Sequence, residues 1–162
     1  MIKNDRRLTK SYLYDNIMIE KKKKHIIKKA AISTLDLSRE DIERYLLEVR
    51  EAVQKGCYRI ARNKNRADNI DLFLHYVIDE NRVREILLSL TVEDFSAQLN
   101  NEHPGFAHEK LYVFGKDVRL LERFGEKERT VFLYIKLNKL ENCYVIVISF
   151  HEQKHLLTYP FK

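Results

Sequence analysis

The chain has 162 residues, 44% of them hydrophobic and 33% charged, and a formal net charge of +6, which suits one sizeable core and is too short for two full domains. No run approaches the ~18 apolar residues of a membrane span, and the N-terminus lacks the apolar stretch and cleavage site of a secretory signal, so a soluble, cytoplasmic protein is expected. Cys57 and Cys143 are far apart in sequence with no second cysteine at metal-ligand spacing, so neither disulfide nor zinc is expected.

Residues 1–30 carry ten Lys/Arg against Asp5, Asp15 and Glu20, whereas the remaining residues carry twenty against twenty-one acids. The basic character therefore belongs to an arm, which suits an anionic polymer, an acidic partner protein or simple solvation. Within it, Ile19, Ile26, Ile27, Ala30 and Ala31 interrupt the lysines at helical spacing, predicting a helix over 18–31. We expect residues 1–37 to form a basic N-terminal arm or helix and residues 38–162 a single domain. Ser38 ahead of Arg39-Glu40-Asp41 reads as a capping box, with Leu37 and Ile42 as its hydrophobic staple. Ile42, Tyr45, Leu46, Val49 and Val53 then define one helical face over 39–55, stopped by Gly56. Residues 57–61 read as a short strand followed by a polar turn, and Lys55, Arg59, Arg62, Lys64 and Arg66 form a second basic patch with no acid between them.

Residues 69–78 are apolar and fit strand or helix equally. Asp79-Glu80 open a helix through Val83, Ile86, Leu87 and Leu90. Thr91-Val92-Glu93-Asp94 is a further capping box, predicting a short helix that holds Phe95 and Leu99 and ends at His103-Pro104-Gly105. Residues 111–121 read as a strand bent at Gly115, residues 130–137 and 143–152 as a hairpin, and residues 155–161 as a last short strand, with Pro160 marking an edge or an end. Helices first and an antiparallel meander afterwards indicate an α+β fold with helices packed on one face of a curved antiparallel sheet.

The hairpin carries the most chemistry. Side chains alternate along a strand, so Phe132, Tyr134 and Lys136 share one face. On the partner strand, unbroken alternation separates Val145, Val147, Ser149 and His151 from Tyr144, Ile146, Ile148 and Phe150. If the wholly apolar faces meet the core, a phenol, an ammonium, a hydroxyl and an imidazole converge on the other surface. The plain alternative is that a solvated sheet face simply carries polar residues.

Read in order, residues 86–95 with their LxxxDF motif, Lys110-Leu111-Tyr112-Val113, the Tyr-Ile-Lys of 134–136 and the Val-Ile-Ser-Phe of 147–150 resemble the MqsR group of bacterial toxins. That resemblance spans roughly residues 85–152. It implies a RelE-like fold, a messenger-RNA interferase activity, no cofactor, and an antitoxin protein as partner. The family tyrosine falls on Tyr134, and the lysine after the final Ser-Phe falls on His151. The glutamine before the central strand falls on Glu109, beside His108, and a further family lysine falls on Ala97, which has no functional group.

RNA is cut without a metal when its own 2′-OH attacks the adjacent phosphorus, a base takes that proton, an acid protonates the leaving 5′-oxygen and cations stabilise the phosphate. Histidine suits either proton role near neutral pH, so His151 and His108 are the candidates, with Glu109 as an alternative base and Tyr134 as a positioning group or donor. Lys136, Arg59, Arg62, Lys64 and Arg66 are the candidate RNA phosphate ligands, and exposed aromatic rings could stack bases. There is no Gly-rich phosphate loop, no His-Glu-x-x-His and no nucleophile elbow. The rival readings are a non-catalytic nucleic-acid-binding regulatory protein and an interaction module that uses its basic arm.

Overall fold

The computed structural model describes residues 37–162, so the basic arm and the helix expected over 18–31 lie outside the described residues. The first helix, α1 (Arg39–Gln54), starts where the capping signature places it: the Ser38 side chain accepts from the Asp41 N–H, and the Asp41 carboxylate accepts from the Ser38 N–H. Its face of Ile42, Tyr45, Leu46, Val49 and Val53 is buried, and Leu37 packs beside it. Gly56 at φ 72 turns the chain out of the helix into β1 (Tyr58–Ile60).

The apolar stretch that fits two periods is a helix as far as His75, α2 (Ala67–His75), then extended at Tyr76, which bridges to Glu122; α3 (Glu80–Leu88) follows with Asp79 as its N-cap. The next element departs from expectation. The Asp94 carboxylate does accept from the Thr91 N–H and hydroxyl, but the helix is a single 3-10 turn, Val92–Asp94, and Phe95 and Leu99 belong to a strand, β2 (Phe95–Asn100). Pairing with β3 (Lys110–Leu121) gives five residues of β2 a ladder partner and outweighs a local capping preference. The hairpin is β4 (Glu128–Lys139) and β5 (Val145–Glu152), joined through Cys143 at φ 58.

The sheet runs β1-β5-β4-β3-β2, and it is mixed: β1 pairs in parallel with β5, while the other pairs are antiparallel. This departs from the wholly antiparallel sheet that the strand pattern predicts. The direction of β5 is dictated by its hairpin with β4, and β1, supplied by the α1–β1 turn, runs beside it in the same direction. This brings the two sequence-distant cysteines to the same end of the sheet, where the Val145 N–H donates to the Cys57 carbonyl at 3.0 Å, and both thiols are free.

One core gathers α1, α3 and Leu72 of α2 against Phe114, Val118 and Leu120 of β3, Val131, Leu133, Ile135 and Leu137 of β4, and Val145, Val147 and Phe150 of β5. The opposite sheet face is crossed by residues 153–162, which form a strap and not the expected strand. Gly115 permits the crossing: a Cβ there would strike the Tyr159 hydroxyl and lie 2.8 Å from Leu157 Cδ1. The strap ends with Phe161 against Phe95, ring centroids 5.9 Å apart, and its carbonyl accepts from Arg39. Among the described residues no helix is long and apolar enough to cross a membrane.

Candidate functional site

Cross-strand register assembles the outer face. Tyr134 stands opposite His151 and Lys136 opposite Ser149. The two rings stack, with centroids 5.2 Å apart and planes 16° from parallel. The neighbouring rows extend across β3, where Gly115 partners Tyr134 and Val113 partners Lys136, and onto β2, where Ala97 partners Val113. Ala97, Val113, Lys136 and Ser149 thus lie in one row, with a cation at only one of the four positions.

The four polar groups share a face for a reason that simple alternation misses. Val145, Val147 and Phe150 are fully buried in the core, so the apolar set of Tyr144, Ile146, Ile148 and Phe150 does not face inward as a unit. Ile146 and Ile148 are partly exposed instead. Between Lys136/Leu137 the register jumps from Ser149 to Val147, leaving Ile148 as an extra, unpaired residue, a β-bulge. The bulge reverses the parity of the strand. Up to Val147 the odd residues point inward; beyond Ile148 they point outward, and Ser149 and His151 join Lys136 and Tyr134.

The first turn of α2 forms one wall. Arg66, its N-cap, is close enough to act electrostatically on both Tyr134 and Lys136. Burial pushes the Tyr134 phenol above its ordinary range, with Arg66 opposing, so the phenol stays protonated through neutral pH. Burial and then Arg66 lower Lys136 from the ordinary lysine range, while Glu102 works the other way. Asp68, in the same first turn, is bonded to Lys154 at 2.7 Å; that bond holds its carboxyl below the usual range, and His151 adds a smaller pull in the same direction. His151 Nδ1 lies 2.8 Å from the Glu152 carbonyl. A carbonyl can only accept, so in the neutral ring Nδ1 carries the proton and Nε2 holds the lone pair.

The remaining candidates sit elsewhere. Glu109 is partly buried, and its Oε2 accepts from Asn101 Nδ2 at 2.9 Å and Asn138 Nδ2 at 2.6 Å. Asn138 is four residues along β4 from Tyr134, about 13 Å at a strand's rise per residue. Glu109 and the exposed His108 therefore occupy the far end of the face, lining a cleft of about 440 Å³ with Lys139 and Leu140. Arg59 and Arg62 line a different cleft, about 490 Å³, bounded by β1, Phe73, Asp79 and Glu80, which contains none of the four floor residues. The Arg62 guanidinium lies 4.1 Å from the Phe73 ring centroid. Lys64 is exposed in the loop before α2. Of the five basic candidates, Lys136 and Arg66 meet at the floor.

Sequence reasoning passed over Asn69, Asp68 and Glu102. Asn69 had a signal, a lone amide in an apolar run, but its meaning depends on what the run packs against. Comparisons with protein-family models, curated proteins and solved structures return no match.

Proposed function

We propose that this chain is a toxin-type endoribonuclease that cleaves single-stranded or messenger RNA by acid-base chemistry at the 2′-OH, in the manner of the RelE and MqsR toxins it resembles. The stacked Tyr134–His151 pair beside Lys136 and Arg66 carries this reading. His151 Nε2 takes the 2′-OH proton as that oxygen bonds to phosphorus, and the P–O5′ bond breaks to leave a 2′,3′-cyclic phosphate. The departing 5′-oxygen takes its proton from the Tyr134 phenol, a far stronger acid than an alcohol. Lys136 and Arg66 bracket the phosphate and stabilise the added negative charge. The histidine at the family lysine position supplies a base where the relatives place a cation. A partner protein laid over this face would silence the enzyme, as an antitoxin does.

The test is cleavage of mixed-sequence single-stranded RNA by the purified full chain, with chelator present. Cyclic-phosphate ends are expected, together with no cutting of a strand that carries 2′-deoxyribose at the scissile position. His151→Ala is expected to slow cleavage by about 10²–10⁴-fold and Tyr134→Phe by about 10²-fold. Intact RNA after incubation with wild-type protein overturns the enzyme reading; salt-sensitive RNA binding without cleavage selects the non-catalytic nucleic-acid-binding reading instead.

A further inference from the structure

Asn69 is 1% exposed and spends its whole side chain on backbone groups. Its Nδ2 donates to the Ala61 carbonyl at 2.7 Å and the Ile148 carbonyl at 3.1 Å, and its Oδ1 accepts from the Phe150 N–H at 2.8 Å. Strand β1 stops pairing with β5 at Ile60 and Val147, with a last bond from the Ala61 N–H to the Val147 carbonyl. Beyond that point the edge of β5 would present an unpaired carbonyl at 148 and an unpaired N–H at 150. The Asn69 carboxamide answers both, donating to one residue and accepting from the residue two further on, as the N–H and C=O of one residue in a parallel neighbour would. The groups it holds flank Ser149 and include the bulged residue itself.

We infer that Asn69 is a positioning residue: its carboxamide locks the β-bulge at Ile148, and that bulge is what turns Ser149 and His151 onto the face of Lys136 and Tyr134. Without the bulge, the strand that buries Val145 and Val147 would direct Ser149 and His151 into the core, by the two-residue period of a strand. Leaving a buried carbonyl and a buried N–H without partners removes the local reason for the bulge to persist in one geometry. The helix that supplies Asn69 also supplies Arg66, so a single element fixes both the base and the phosphate ligand relative to each other.

Only the kinetic part of this inference rests on the nuclease reading. The structural part is read by NMR on the full chain. Stacking on Tyr134 shifts the His151 Cε1 proton upfield, and in Asn69→Ala that shift is expected to collapse toward the value of a free imidazole while circular dichroism stays native. Asn69→Asp keeps the acceptor for the Phe150 N–H; it serves if the alanine variant does not fold, and its shift is expected between the two extremes. A wild-type His151 signal in either folded variant overturns the inference. If RNA is cleaved, Asn69→Ala is expected to lower kcat by about 100-fold, with a smaller change in KM because Lys136 and Arg66 remain. Loss of the ring shift in a chain that cuts no RNA leaves the positioning role standing and removes the nuclease. Cleavage with an unchanged kcat in Asn69→Ala removes the positioning role alone.

Discussion

Lys136 shows how a charged side chain is held against its own preference. Burial and Arg66 both lower its pKa, so the folded protein binds this proton less tightly than the unfolded chain does. With the folded value below the unfolded one, stability from this group rises with pH through the alkaline window between them. Below that window the charged ammonium is a cost to folding. Lys136→Met is therefore expected to leave the melting temperature unchanged or to raise it by up to about 3 °C at neutral pH, measured by calorimetry. Under the proposed function the same change removes a phosphate ligand. In the double variant Lys136→Met, Arg66→Ala the slope of log K against log salt for single-stranded RNA is expected to become shallower by about 1.4. A slope that does not move would place the phosphates elsewhere, for instance along Arg59 and Arg62. The Tyr134 phenol and the imidazole at 151 were legible as neighbours because a hairpin leaves few registers. Asp68 and Glu102 were not, because where the first turn of α2 and the loop after β2 come to lie against the sheet is set by tertiary packing, for which the sequence carries no local signal.

At the level of elements, strong local chemistry and long-range pairing divide the chain. The Ser38 capping box satisfies two helix-end groups within four residues, so α1 appears where its sequence places it. Ser38→Ala is expected to cost about 1 kcal/mol, read as a fall of about 3 °C in the melting temperature without change in the Tyr134–His151 face. The similar signature at Thr91–Asp94 yields one turn only, because Phe95 is fully buried in the core and the residues after it are claimed by β3. Asp94 keeps a different use, accepting from Lys116 at 2.7 Å and so tying the turn to the middle of β3. The strap shows the same division. Residues 155–161 do not pair as a strand, so Pro160 bounds none; they lie across the sheet and not beside it.

The whole molecule is rich in phenols that the fold keeps neutral. Tyr45 is fully enclosed in the core and pushed well up by that burial, with Tyr112 and Glu48 adding to it. Tyr76 donates to Glu152 at 2.6 Å, and that bond together with burial moves it up to about 12. Tyr58, Tyr112, Tyr134 and Tyr159 shift the same way, with burial the largest cause in each. For each, the folded state holds its proton at a pH where the unfolded chain has released it, so stability is complete below the ordinary tyrosine pKa of about 10 and declines above it. Lys136 acts in the opposite sense over part of this range and is outnumbered. The melting temperature is expected to fall steeply above pH ~10, and the tyrosinate absorbance to appear together with unfolding; early ionisation of most tyrosines in the native protein would contradict this.

The sequence by itself determined the α+β class, α1 and α3, the hairpin and the concentration of polar groups near its open end, because each follows from spacing, capping or alternation within a few residues. Tertiary structure decided the rest. The parallel pairing of β1 reflects a direction imposed by a hairpin more than 80 residues later. The separation of His108 and Glu109 from His151 reflects distance along β4. The face on which His151 emerges turns on one extra residue at Ile148, whose unpaired backbone is stabilised by an amide 79 positions away in the chain. A period of two predicts faces only while the ladder is unbroken, and what breaks it here is a contact that exists only in the folded chain.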